Sequence, residues 1–126
     1  MAYSAVQQYK EQAIQSMTGG ELLILLYDEV IKNLNFAKLM LEQKNYATFE
    51  KCTEKSKNII RYLINILDRR IEISKNLYQM YFFFNQEIIR AEIKREAGII
   101  EPLIPLVEDL RQTWVEANRL VQIQKS

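Results

Sequence analysis

The side chains able to do chemistry are few, and their spacing is uninformative for catalysis. There is no histidine among the 126 residues. His-based triads, haem sites with a histidine ligand and most zinc sites are therefore excluded. The Glu-x-x-His pairs that helical bundles use to hold metal cannot exist either. Cys52 is the sole cysteine, so it has no partner for an internal disulfide or a thiolate metal site. Its place on an apolar helical stripe reads as a small buried hydrophobe rather than a nucleophile. The carboxylates Asp28, Glu29, Glu87 and Glu92 each have basic residues nearby in sequence and read as ordinary helix-surface charges. Gly19-Gly20 lacks the Gly-Lys-Ser/Thr that would complete a phosphate loop. No catalytic residue, metal ligand or cofactor is expected.

The elements that position these residues follow from punctuation and periodicity. One domain's worth of chain contains only three glycines and two prolines, which favours long helices over a many-turned sheet. Thr18-Gly19-Gly20-Glu21 has the form of a capping box, and an apolar-periodic run follows to about Gln43. Lys44-Asn45 breaks the pattern, with Asn45 placed to cap a second helix over about Tyr46–Leu67. After Asp68-Arg69-Arg70 a third helix runs from Ile71 or Ser74 to Glu96, with Gly98 placed as a left-handed terminator. A fourth runs from about Ile99 to Val121; Pro102 suits its first turn, and Pro105 predicts a late start or a bend.

Each helix carries a stripe with alternating steps of three and four residues. The stripes are Leu23, Tyr27, Val30, Leu34, Ala37, Leu41; Phe49, Cys52, Ser56, Ile59, Leu63, Ile66; Leu77, Tyr81, Phe84, Ile88, Ala91; and Leu103, Val107, Leu110, Trp114, Ala117, Val121. Similar lengths and short connections predict an all-α fold: an antiparallel up-down four-helix bundle over residues 17–126, preceded by an N-terminal arm over 1–16.

Two helices carry more apolar surface than such a bundle needs. The third adds Tyr78, Phe82, Ile89 and Ile93, so that its apolar arc spans roughly 220°, and Phe83 points elsewhere again. The first adds Leu22, Leu25, Phe36 and Met40. Unless covered, these form an exposed patch. The cover could be the arm (through Tyr3, Tyr9, Ile14 and Met17), a second copy of the chain, or a separate partner helix. Tyr9, Ile14, Leu22, Leu25, Phe36, Tyr78, Phe82, Phe83, Ile89 and Ile93 are the partner-binding candidates.

Seventeen basic against sixteen acidic residues leave a formal charge of +1, which argues against a nucleic-acid binder relying on bulk positive charge. The longest apolar run, Leu22 to Tyr27, is far short of the ~20 residues that cross a bilayer, so no membrane insertion is expected. With no leader pattern and one cysteine, the expectation is a cytoplasmic protein.

The order of these features resembles the flagellin export chaperone family of the FliS type. The resemblance begins at Tyr9 and passes through Glu21-Leu22, Leu25-Leu26-Tyr27-Asp28 and the polar hinge Glu42-Gln43-Lys44-Asn45-Tyr46. It continues through Asn58-Ile59-Ile60, Leu67-Asp68, Ile71 to Ser74, Asn76-Leu77, Tyr81, Ala91 and Ile93-Lys94 to Leu110-Arg111 and Trp114. Gln86-Glu87 and Glu92 depart from it, removing positive charge that the third helix commonly carries in the family. The resemblance implies a cytoplasmic helical bundle that binds the disordered C-terminal segment of flagellin, stops premature polymerisation and assists delivery to the flagellar type III export gate. It also implies an arm that covers part of the apolar groove, with Tyr9 linked to docking at the gate. The alternative from the residues alone is a non-catalytic helical module whose excess apolar surface forms a homodimer.

Overall fold

The computed structural model describes residues 19–125, and side chains for 19–120 and Ile123. The expected arm, the Thr18 cap, Tyr9, Ile14 and the Val121 side chain lie outside the described residues. Among the described residues the chain is all-helical: α1 (Gly19–Glu42), α2 (Tyr46–Asn65), α3 (Ile73–Lys94), α4 (Ala97–Ile100) and α5 (Leu103–Lys125). Helix α1 packs along both α2 and α5; α2 also packs on α3, and the single turn of α4 bridges α3 to α1 and α5.

The link between α1 and α2 needs only three residues because its hydrogen bonds are complete. Lys44 takes a left-handed conformation, φ 61°. Its N–H donates to the Leu41 carbonyl at 3.0 Å and that of Asn45 to the Met40 carbonyl at 2.8 Å, a Schellman closure. The Asn45 side chain then accepts from the Thr48 N–H at 3.3 Å, capping α2 as expected.

At the other end of α3 the expectation fails at Gly98. The left-handed residue is Arg95, φ 52°, whose N–H reaches the Ala91 carbonyl at 2.7 Å. Its guanidinium lies 3.9 Å from the Tyr46 ring centroid, a cation–π contact that offsets the cost of a side chain in this conformation. Gly98 sits inside α4 with no positive φ. Pro102 falls in the turn between α4 and α5 rather than in a helix. Helix α5 starts late, placing Pro105 in its first turn, where its missing N–H would have had no intrahelical partner.

The core follows the predicted stripes closely in α1 and α3. In α2 the stripe needs correction: Ile60, 1% exposed, takes the core place expected for Ile59, and Ile66 is 47% exposed. A straight helix turns every 3.6 residues, so a strict 3.5-residue stripe drifts away from the core. Met40, expected outside the core, is buried in it. In α5 only Leu103 and Val107 of the stripe are fully buried, with Leu110, Trp114 and Ala117 half-buried.

Polar contacts fix how the helices sit against one another. The Tyr27 hydroxyl of α1 hydrogen-bonds the Tyr81 hydroxyl of α3 and accepts from Trp114 Nε1 of α5 at 2.8 Å. Between α2 and α3, Lys57 Nζ lies 2.9 Å from Glu92 Oε1, and the Thr53 hydroxyl lies 2.7 Å from Glu92 Oε2. Asp28 pairs with Arg111 across α1 and α5. Asp28 and Glu92 are thus interhelical ties rather than the plain surface charges expected, whereas Glu29 and Glu87 pair locally with Lys32 and Arg90.

Burial pushes the Tyr27 phenol far above its ordinary value of 10.0, aided by the neighbouring Tyr81, and burial also raises Tyr81. Folded tyrosines that stay protonated contribute stability that is complete below pH 10 and is lost as pH rises further, because only the unfolded chain then releases the proton. Urea unfolding between pH 8 and pH 11 should show stability falling above about pH 10, by up to ~1.4 kcal/mol per pH unit for each such group. Tyr27→Phe should flatten this fall. At neutral pH it should cost about 1–3 kcal/mol, because Tyr81 and Trp114 lose their shared partner.

Candidate functional site

Helix α3 is the element with most apolar surface left over. Tyr78, Phe82, Ile89 and Ile93 lie roughly 100–160° around the helix from the centre of its core stripe. Asn85 and Glu92, at intermediate angles, reach Lys57 of α2, so this second line flanks the α2 side. All four are exposed, Phe82 by 50% and Ile93 by 78%. The Tyr78 and Phe82 rings stack, with centroids 6.2 Å apart and planes at 9°. Arg69 stands 5.2 Å over the Tyr78 ring. Beside it, Leu67, Ser74 and Lys75 help enclose a pocket of about 370 Å³ where α2 passes into α3.

Phe83 does not join this line. It is exposed on the opposite flank of α3, beside Phe84. On α1, Phe36 is 46% exposed and opens on a groove of about 720 Å³ shared with Thr48, Cys52 and Lys55 of α2. Leu22 and Leu25 are half-buried. The structure therefore aligns Tyr78, Phe82, Ile89 and Ile93 along one exposed line of α3 and places Phe36 at a separate groove. The polar outer face of α2 lies between them: Arg61 is exposed there, and Lys51, Glu54 and Asn58 border the Phe36 groove.

Several exposed apolar residues escaped the sequence reading: Leu39 on α1, Tyr62 and Ile66 on α2, and Ile71 before α3. Tyr62 and Ile66 are four apart on one face, a spacing that would have marked them had α2 been read at 3.6 residues per turn. Ile71, 52% exposed, lies in the turn before α3. The Asn85 Oδ1 atom is buried with no hydrogen-bond partner, although its amide lies 3.4 Å from the Lys57 carbonyl.

The reactive groups are poorly placed for catalysis. Cys52 is buried, and burial pushes its thiol up, away from the nucleophilic thiolate. Among the described residues no group of three or more histidine, cysteine, aspartate or glutamate side chains is placed to hold a metal. No described helix is long and apolar enough to cross a membrane. What the surface offers is exposed apolar area.

A family model described as flagellar protein FliS matches residues 2–121. The chain belongs to the FliS family. The flagellar secretion chaperone FliS of Bacillus subtilis (strain 168) is 28% identical over 109 residues, covering 86% of this chain and 82% of that protein. The flagellar secretion chaperone FliS of Salmonella typhimurium is 26% identical over 119 residues, covering 92% and 88%. That of Escherichia coli (strain K12) is 24% identical over 110 residues, covering 85% and 81%. FliS proteins are secretion chaperones, not enzymes.

The furrow separates folding from any binding role. Phe82→Asp changes a half-exposed side chain and should leave stability within about 0.5 kcal/mol. Phe84→Ala, two residues on and 2% exposed, should cost roughly 3–5 kcal/mol. Paired chemical-denaturation curves check both expectations.

Proposed function

We propose that this protein is a cytoplasmic export chaperone for flagellin. It holds the disordered C-terminal segment of its client against the apolar furrow of α3, prevents premature polymerisation and assists delivery to the flagellar type III export gate. The observation that carries the reading is the exposed line Tyr78, Phe82, Ile89 and Ile93, in a chain whose relatives are named flagellar secretion chaperones.

The physics of the role is helix-in-groove recognition. An amphipathic segment that would otherwise bury its apolar face against other flagellins lays that face on the furrow instead. Coupled folding of this kind typically buries ~1,000–3,000 Å² and loses several kcal/mol of the gross gain to ordering the segment. That loss keeps the complex reversible, as hand-over to an export gate requires. Residues 1–16, with Tyr9 and Ile14, act as the arm that covers apolar surface before the client arrives, and Tyr9 serves docking at the gate.

Isothermal titration with a flagellin C-terminal peptide tests this. Binding at micromolar concentration is expected, with Phe82→Asp weakening it roughly tenfold or more, equivalent to about 1.4 kcal/mol. Absence of binding at tens of micromolar removes the reading. Sedimentation of the free protein separates it from the homodimer alternative, which requires a tight dimer that refuses the peptide. Deleting residues 1–16 should leave cooperative unfolding intact while increasing the binding of an apolar dye; loss of cooperativity would contradict the arm.

A further inference from the structure

The groove between α1 and α2 differs in chemistry from the furrow on α3. Its walls combine Phe36 and Cys52 with three lysines, Lys32, Lys51 and Lys55. Lys51 and Lys55 form no ion pair among the described residues. Lys32 has only Glu29 at 3.5 Å, with both side chains well exposed, a pairing of little energetic value. The one carboxylate in the lining, Glu54, is already engaged by Lys57 at 3.1 Å and Arg61 at 3.5 Å. The Asn33 amide is committed to the Glu29 carbonyl at 2.8 Å. The groove is therefore an apolar floor with a basic rim, in a protein whose overall charge is only +1.

We infer that this groove docks an acidic amphipathic peptide segment from a partner protein, with a bulky apolar side chain seated by Phe36 and carboxylates paired to Lys51 and Lys55. The two lysines are one helical turn apart, which matches carboxylates spaced four residues apart on a partner helix. The α2 lining runs from Thr48 to Asn58, roughly 15 Å of helix, enough to hold about ten helical residues. Desolvated carboxylate–lysine pairs set the choice of partner, since a basic or neutral segment leaves the rim unpaired. The α3 line is furnished differently: its cations Arg69 and Lys75 stand at the Tyr78 end, with Arg69 held over the Tyr78 ring, and Ile89 and Ile93 offer no charge. The two surfaces thus select different sequences.

The test uses the full chain and two labelled helical peptides of about 14 residues. One carries leucine and phenylalanine anchors flanked by glutamates; the other has every glutamate replaced by lysine. Fluorescence anisotropy should show the acidic peptide binding at least roughly tenfold more tightly, and the preference shrinking as salt rises from about 50 to 500 mM. The double variant K51E/K55E, folded by circular dichroism, should lose this preference, and Phe36→Ser should weaken the acidic peptide while Phe82→Asp does not. Equal binding of both peptides, or a preference that survives K51E/K55E, overturns the inference. So does a change in self-association on sedimentation with peptide binding untouched, which would assign the groove to a second copy. The inference does not rest on flagellin being the client. A protein that ignores the flagellin peptide yet discriminates the designed pair overturns the functional reading alone.

Discussion

Helix α3 carries apolar side chains over more of its circumference than its neighbours can cover, and the rest of the structure is arranged around that constraint. Helix α2 packs along one flank, and the single turn of α4 closes one end. The stripe Leu77, Tyr81, Phe84, Ile88 and Ala91 is consumed by the core, leaving Tyr78, Phe82, Ile89 and Ile93 in solvent. At roughly 1.5–3 kcal/mol for each large side chain fully buried, the uncovered line forgoes several kcal/mol of stabilisation. Nothing in the fold of the described residues recovers it.

What stops α3 from rolling to hide the second line is polar. A rotation large enough to bring Phe82 inward would pull Glu92 away from Lys57 and Thr53 and separate the Tyr81 hydroxyl from Tyr27. Lys57 and Glu92 are both largely shielded, so parting them leaves a partly buried charge on each helix, a cost added to that of exposing the core stripe of α3. The Tyr27 hydroxyl does the same for three helices at once, because its partners come from α3 and α5. These contacts contribute rotational register more than net stability. The register is what presents the furrow.

The sequence reading reached the helices and their inward faces through period and punctuation, which are local properties. It also separated the second line of α3, since an arc wider than a bundle seam is visible on a helical wheel. It misplaced features whose cause is tertiary. Arg95 rather than Gly98 ends α3 because Tyr46, distant in sequence, is there to stack on it. Glu92 looked like surface charge because its partners, Thr53 and Lys57, are on another helix. Ile66 looked like core because the stripe was extended by a repeat slightly shorter than the helical one. Of the candidate residues, Phe36, Tyr78, Phe82, Phe83, Ile89 and Ile93 are exposed, but how they divide over the surface depends on which helix lies between them, and that is not encoded at short range.

That division sets what kind of chain fits this surface. A single continuous apolar strip would be free to collapse onto itself in another copy, since a self-complementary patch is the simplest route to a symmetric dimer. Here the apolar area is cut by the polar back of α2, where Glu54 is held between Lys57 and Arg61. A second folded copy laid across this strip would have to desolvate those charges. The same separation gives each furrow its own electrostatic setting. Exposed rings and aliphatic side chains dominate the α3 side, with Arg69 and Lys75 at its Tyr78 end, whereas Lys51 and Lys55 border the α1–α2 side.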